Sequence, residues 1–198
     1  RAERTPAMEA AARDIAADGG RALVIPLGAS TPLGSLGYAR AAVELEAQLA
    51  QLPPVANTWI FLSSSSCGTL AGLLLGFSLL GRDDVRLVGV SADTPESEMR
   101  RDAVRLATEG GALLGWTGRL LSDHLSCDDT QVGEGYGIPT PASDEATRLL
   151  GSTQGVVLDP FYPAKAVAGM LAWIRSGRVA AGDRVVFVHT GGHPALLA

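Results

Sequence analysis

Apolar residues gather in five short runs, ALVIPL (22–27), TWIFLS (58–63), VRLVGVSA (85–92), GVVLDP (155–160) and RVVFVHTGG (184–192), and each predicts a β-strand. Between them the spacing turns helical. Thr5-Pro6 followed by AMEAAARDIAADGG reads as a cap, a first-turn proline, a helix and a glycine stop. Residues 35–52 read as a helix closed by Pro53-Pro54, and LAGLLLGFSLLG as a helix apolar on every side and therefore buried. A polar helix is predicted near 96–109, and further helices over 142–150 and 163–176. Residues 110–141 are glycine-rich and give no ordered prediction.

Strands that are continuous apolar runs and alternate with helices signal a mostly parallel sheet covered on both faces, an α/β fold of three layers. Ligands of such sheets collect at the carboxyl ends of the strands. Four turns at those ends carry chemistry: GASTPLG, SSSSCGT, DPFYPAK and HTGGHPA.

Composition narrows the field. The 198 residues suffice for one sizeable domain, or a domain with part of a second. With 46% hydrophobic and 19% charged residues and 24 glycines, a globular chain with a buried sheet and many tight turns is expected. A net charge of −5 and the lack of a basic stretch argue against nucleic-acid or membrane partners. The longest apolar run, residues 70–80, is too short to span a bilayer. Cys67 and Cys127 make neither a disulfide framework nor a metal site, so a reduced, cytoplasmic protein is the simplest expectation. The chain opens on Arg1 and closes on HPALLA, which reads as the first turn of a helix, so a piece of a longer protein is expected.

In SSSSCGTLAG a strand runs through small residues into a helix whose first amides are unpaired, a turn able to wrap an anion; the alternative is that Ser and Thr only cap a buried helix. G-x-x-x-x-G-K-[ST] and G-x-G-x-x-G are both absent, which disfavours nucleoside triphosphates and dinucleotides. Thr190 ends an apolar strand before two glycines that let a flat ligand approach the backbone, and could bond a ring nitrogen; a glycine turn with a satisfied threonine is the alternative. His189 and His193 lack a third metal ligand at sensible spacing. Tyr136, within GYGIP, and Tyr162, at a strand end, could each offer a phenol to a small substrate, or be edge-of-core tyrosines. Cys67 lacks an evident histidine partner and reads as a passive small residue. Lys165 is the only lysine among 16 basic residues, placed just after Pro163 in the first turn of a helix, where the helix dipole disfavours a cation.

The ordered set IPLGASTPLGSLGYARAAVELEAQL, SSSSCGTLAGLLLG, EGYGIPTPASDEATRLL, GVVLDPFYPAKAVAGM and VVFVHTGGHPALLA resembles the D-cysteine desulfhydrase and 1-aminocyclopropane-1-carboxylate deaminase family, pyridoxal 5'-phosphate enzymes of the tryptophan synthase β-like fold. The resemblance covers nearly the whole chain and about the C-terminal three-fifths of a family member. It implies that Ser66, Cys67, Gly68 and Thr69 bind the cofactor phosphate, that Thr190, with Gly191, faces the pyridine nitrogen, and that Tyr136 and Tyr162 contact substrate and move protons. Lys165 matches a family lysine that does not carry the cofactor; it would lend charge at the site edge or pair with Asp159. The carrying lysine lies in an N-terminal asparagine-lysine motif that these residues do not contain.

Departures accompany the match. Ser65 stands where the family usually has glycine, and GAST replaces G-G-S-N. Thr190 is the desulfhydrase choice where the deaminases carry leucine, whereas Pro163 matches neither. The resulting expectation is a large cofactor domain over 29–198, with 1–28 ending a smaller domain. The expected protein is a pyridoxal-phosphate lyase or deaminase acting on a small amino acid by β-elimination, a homodimer by resemblance. A non-catalytic binding protein, or one half of a split enzyme, is the alternative.

Overall fold

The computed structural model describes residues 4–192. Among these, helices α1 (Arg4–Ala17), α2 (Pro32–Leu49), α3 (Gly68–Leu79), α4 (Glu96–Leu113), α5 (Pro141–Gln154) and α6 (Pro163–Arg175) surround strands β1 (Thr58–Ser64), β2 (Val85–Ser91), β3 (Leu125–Asp128) and β4 (Arg184–Val188). All three strand pairings are parallel, in the order β3-β2-β1-β4. The expected three-layer α/β fold is present.

The period-2 alternation of β1 sorts its side chains between two cores. Ile60 and Leu62 join Leu87 and Leu125 against α2, α3 and α4, while Phe61 joins Val88 and Val90 against Ala166 and Trp173 of α6. Trp173 stands edge-on to Phe61, with ring centroids 5.8 Å apart. Its indole N–H donates to Asp128 Oδ2 at 2.8 Å, so the ring is buried without an orphaned donor.

Helix α3 has apolar neighbours all round because it lies between the sheet and α2. Gly72 and Gly76 permit that approach: a Cβ at Gly76 would run into Ala42 Cβ and stand 2.7 Å from Ala39 O, and one at Gly72 would strike Ser35 O and Tyr38 Cβ.

Helix α2 starts at Pro32, with Thr31 as N-cap accepting from Gly34 N at 2.9 Å, earlier than residue 35, and ends at Leu49 before the proline pair. Helix α1 already includes Thr5 and Pro6. Helix α5 is capped by Thr140 and Ser143, whose side chains bond each other's backbone N–H.

Two predicted strands are absent. Residues 22–27 run without a ladder into a short 3-10 turn (Leu27–Ala29), leaving Leu23 85% and Ile25 63% exposed, because no described strand lies beside them. In 155–160, Gly155 instead caps α5 in the left-handed conformation, Val156 N closes back on Leu150 O, and Pro160 has no N–H to donate. In exchange, β3 forms inside the stretch that gave no prediction; at four residues, LSCD, it is too short for periodicity to reveal. The HPALLA turn falls outside the described residues. No described helix is long and apolar enough to cross a membrane.

The α2–α3 contact makes a paired prediction. Gly76→Ala should destabilise the protein by about 1–3 kcal/mol through overpacking. Gly37→Ala, on α2 with nothing within 4 Å of the added methyl, should stabilise by about 0.5–1 kcal/mol. Urea unfolding checks both, with opposite shifts of the midpoint expected.

Candidate functional site

The strand order places a crevice. From β1 the chain winds to β2 and β3 on one side and finally returns as β4 on the other. The segments leaving β1 and β4 therefore diverge, which is the switch point where open α/β sheets bind ligands.

The turn after β1 is built for backbone recognition. Cys67, between Ser66 and α3, has φ 67, a left-handed value uncommon outside glycine. That geometry turns its thiol inward: the residue is 3% exposed, and Sγ donates to Met99 O at 3.3 Å. Cys67 thus belongs to the turn through its backbone. The second thiol, Cys127, is pushed by burial up to about 12 and stays protonated at neutral pH, so neither cysteine is placed as a nucleophile.

Ser30, from the GAST loop, joins the two turns. Its Oγ donates to Ser66 Oγ at 2.8 Å and accepts from Gly68 N at 3.1 Å, so it caps α3 from 38 residues upstream. Sequence reasoning missed Ser30 because its partners are remote. Thr94, after β2, donates from its hydroxyl to Ser65 O at 3.3 Å. Ser65 Oγ itself is buried without a hydrogen-bond partner among the described residues.

Above this turn lies a cleft of about 350 Å³ whose walls include Gly28, Ser65, Ser66, Asp93, Tyr136 and Tyr162. Both predicted tyrosines and Ser66 therefore meet in one space. Cys67 and Gly68 are buried behind it, and half-buried Thr69 is in the first turn of α3. Tyr162 is pinned to the end of β1: its OH donates to Ser63 O at 3.2 Å, and Ser63 Oγ donates to Tyr162 O at 3.1 Å. Asp159 Oδ1 accepts from Phe161 N and Tyr162 N at 2.9 and 3.0 Å, an Asp-Pro turn that sets the tyrosine's backbone. Tyr136, 61% exposed, comes from the segment between β3 and α5.

Thr190 and Gly191 follow β4, outside the lining of that cleft. Thr190 Oγ1 is buried and without a hydrogen-bond partner among the described residues. His189 Nε2 stands 3.0 Å from Val157 O while its Nδ1 accepts from Gly191 N at 3.2 Å, so the ring is the Nε2–H tautomer and shapes the turn. No group of three metal-ligating residues occurs among the described residues, and His193 lies outside them.

Lys165 is 0% exposed, although it opens a helix. Its Nζ donates to Val132 O at 2.7 Å and Gly135 O at 2.8 Å rather than pairing with Asp159. Burial pushes its pKa below the ordinary lysine value, with the Asp93 carboxylate opposing.

A family described as pyridoxal-phosphate dependent enzyme matches residues 2–191 of this chain. The chain belongs to that family. It is 36% identical to a D-cysteine desulfhydrase of Salmonella paratyphi C over 96% of this chain and 56% of the relative, and 35% identical to a D-cysteine desulfhydrase of Salmonella newport over the same shares. A solved structure described as an ACC deaminase homologue superposes with a TM-score of 0.81 at 31% identity, covering 96% of this chain and 55% of that one. The chain thus spans about half the length of the curated relatives it matches. The site suits the family's cofactor. The turn after β1 leads into the start of α3, where an anion is favoured, and buried hydroxyls of Ser65 and Thr190 stand without partners among the described residues at the exits of β1 and β4.

Ser30→Ala removes the remote cap and the Ser66 bond together, and should cost about 0.5–2 kcal/mol, the usual range for a lost N-cap. Urea denaturation measures it, and hydrogen exchange should quicken first at residues 66–69.

Proposed function

We propose that the protein carrying this chain is a pyridoxal-phosphate lyase that removes hydrosulfide from a small amino acid, D-cysteine or a close analogue, by β-elimination. The observation that carries this reading is the meeting of Tyr136, Tyr162 and the Ser65–Ser66 turn in one cleft at the switch point. The D-cysteine desulfhydrase relatives support the choice of substrate.

Ser66, Cys67, Gly68 and Thr69 would hold the phosphate through backbone N–H groups and hydroxyls at the start of α3, with Ser30 Oγ yielding the Gly68 N–H that it accepts here. Thr190 would hydrogen-bond the ring nitrogen without a formal charge, and Gly191 would leave the ring face room. Bound there, the cofactor would supply an electron sink for the charge left when the substrate's α-proton departs. Lys165, the only lysine of these residues, has its Nζ committed to two carbonyls. The lysine that carries the cofactor is therefore proposed to come from outside these 198 residues.

The tyrosines would divide the work. Tyr162, whose proton is engaged by Ser63 O, would orient substrate with its phenol oxygen. Tyr136, on the exposed segment, would donate or accept the proton at the substrate. Residues 1–28 would belong to a smaller domain: α1 buries none of its residues, and Leu23 and Ile25 stand exposed. A cytoplasmic homodimer completes the proposal, with the two cysteines buried as thiols.

The test is substrate turnover by the full-length protein. Sulfide release from D-cysteine is expected, with little ammonia from 1-aminocyclopropane-1-carboxylate. Tyr136→Phe should lower kcat by about 10²-fold or more, the size of a lost acid–base group. Ring-opening without sulfide release, or no turnover of either compound, would refute the reading.

A further inference from the structure

Tyr136 stands on a segment with little of its own to hold it. Between Gly133 and Pro139 the chain forms only turns and belongs to no helix or strand. Gly133, Gly135 and Gly137 all have positive φ, at 63, 142 and 82, where only glycine moves without steric cost. A catalytic phenol carried on such a segment needs an anchor to face its partner reproducibly.

Lys165 supplies one. From the first turn of α6 its buried ammonium reaches Val132 O and Gly135 O, the second of them adjacent to Tyr136. Tyr162, three residues before Lys165, is fixed on Ser63 at the end of β1. One helix start thus carries one tyrosine directly and tethers the other. An ammonium suits the task because it offers three donors and no acceptor, so a single group can gather two carbonyls.

We propose that Lys165 is a positioning residue whose ammonium, bonded to Val132 O and Gly135 O, fixes the segment that presents Tyr136 to the cleft it shares with Tyr162. Its catalytic meaning rests on the proposed function; the tether itself is physical and can be read without turnover.

The experiment compares Lys165→Met with the parent in the full-length protein by hydrogen–deuterium exchange. Methionine fills space but offers no donor. Peptides covering 131–138 should exchange at least tenfold faster, while those of β1 and α3 stay within twofold. Lys165→Gln, with two N–H donors, should recover part of the protection, which a merely space-filling role would not produce. In steady-state assays of sulfide release, Lys165→Met should lower kcat at least tenfold and change KM less than threefold. Adding Tyr136→Phe should cost much less than it does in the parent. Unchanged exchange at 131–138, or fully additive losses, would overturn the proposal. Fast exchange in a protein that never releases sulfide would sustain the tether and refute the function instead. Should the methionine variant fail to fold, acylation of the native parent decides: Lys165 should react at least a hundredfold more slowly than in the urea-unfolded chain, and equal rates would overturn the tether.

Discussion

Strand β1 is hydrogen-bonded on both edges, to β2 and β4, and covered on both faces by helices. A strand so enclosed is open only at its two ends, and the cleft shared by Tyr136, Tyr162 and the serine turn lies at its carboxyl end. The chain must leave that end through a turn tight enough to start α3 beneath α2. Cys67 at positive φ, the Ser30 cap and the glycines facing α2 are three parts of that single requirement. The turn that results starts α3 beside the crevice, and a helix start of that kind is where an anion is favoured.

A second tie organises the opposite wall. Asp159 holds the backbone at Tyr162, Tyr162 and Ser63 bond each other, and Lys165 reaches across to the Tyr136 segment. A cation in a first helical turn loses about 0.3–1 kcal/mol to the helix dipole. Each hydrogen bond from a charged donor returns about 1.5–3 kcal/mol, so two carbonyls outweigh the dipole, while burial still holds the Lys165 pKa below the ordinary lysine value. Burial of an ammonium also explains why truncating it should be felt: a buried charge with its partners is hard to replace in part.

Much of this was legible in the sequence, for local reasons. The runs TWIFLS, VRLVGVSA and RVVFV are strands because continuous β-branched and aromatic runs fit a doubly covered parallel sheet, and the serine-rich turn was recognisable from its position between strand and helix. ALVIPL carries the same strand pattern yet pairs with nothing among the described residues, since a ladder depends on a neighbour and composition cannot supply one. GVVLDP misled because Leu158 is buried between α5 and α6 rather than in the sheet. Tyr136, Tyr162 and Ser66 could be named from their turns, but the roles of Ser30 and Asp93, and the carbonyl partners of Lys165, involve contacts across 30 or more residues that no local pattern encodes.

The claim on which the rest hangs is that the turn after β1 receives the cofactor's phosphate. Titrating the 15N-labelled chain with pyridoxal phosphate and, separately, with pyridoxal tests it most directly by amide chemical shifts. The expected result is a saturable displacement of the Ser65–Thr69 amides with the phosphate ester and little or none with pyridoxal. Displacements that are the same for both compounds, or that gather away from the exits of β1 and β4, would contradict it.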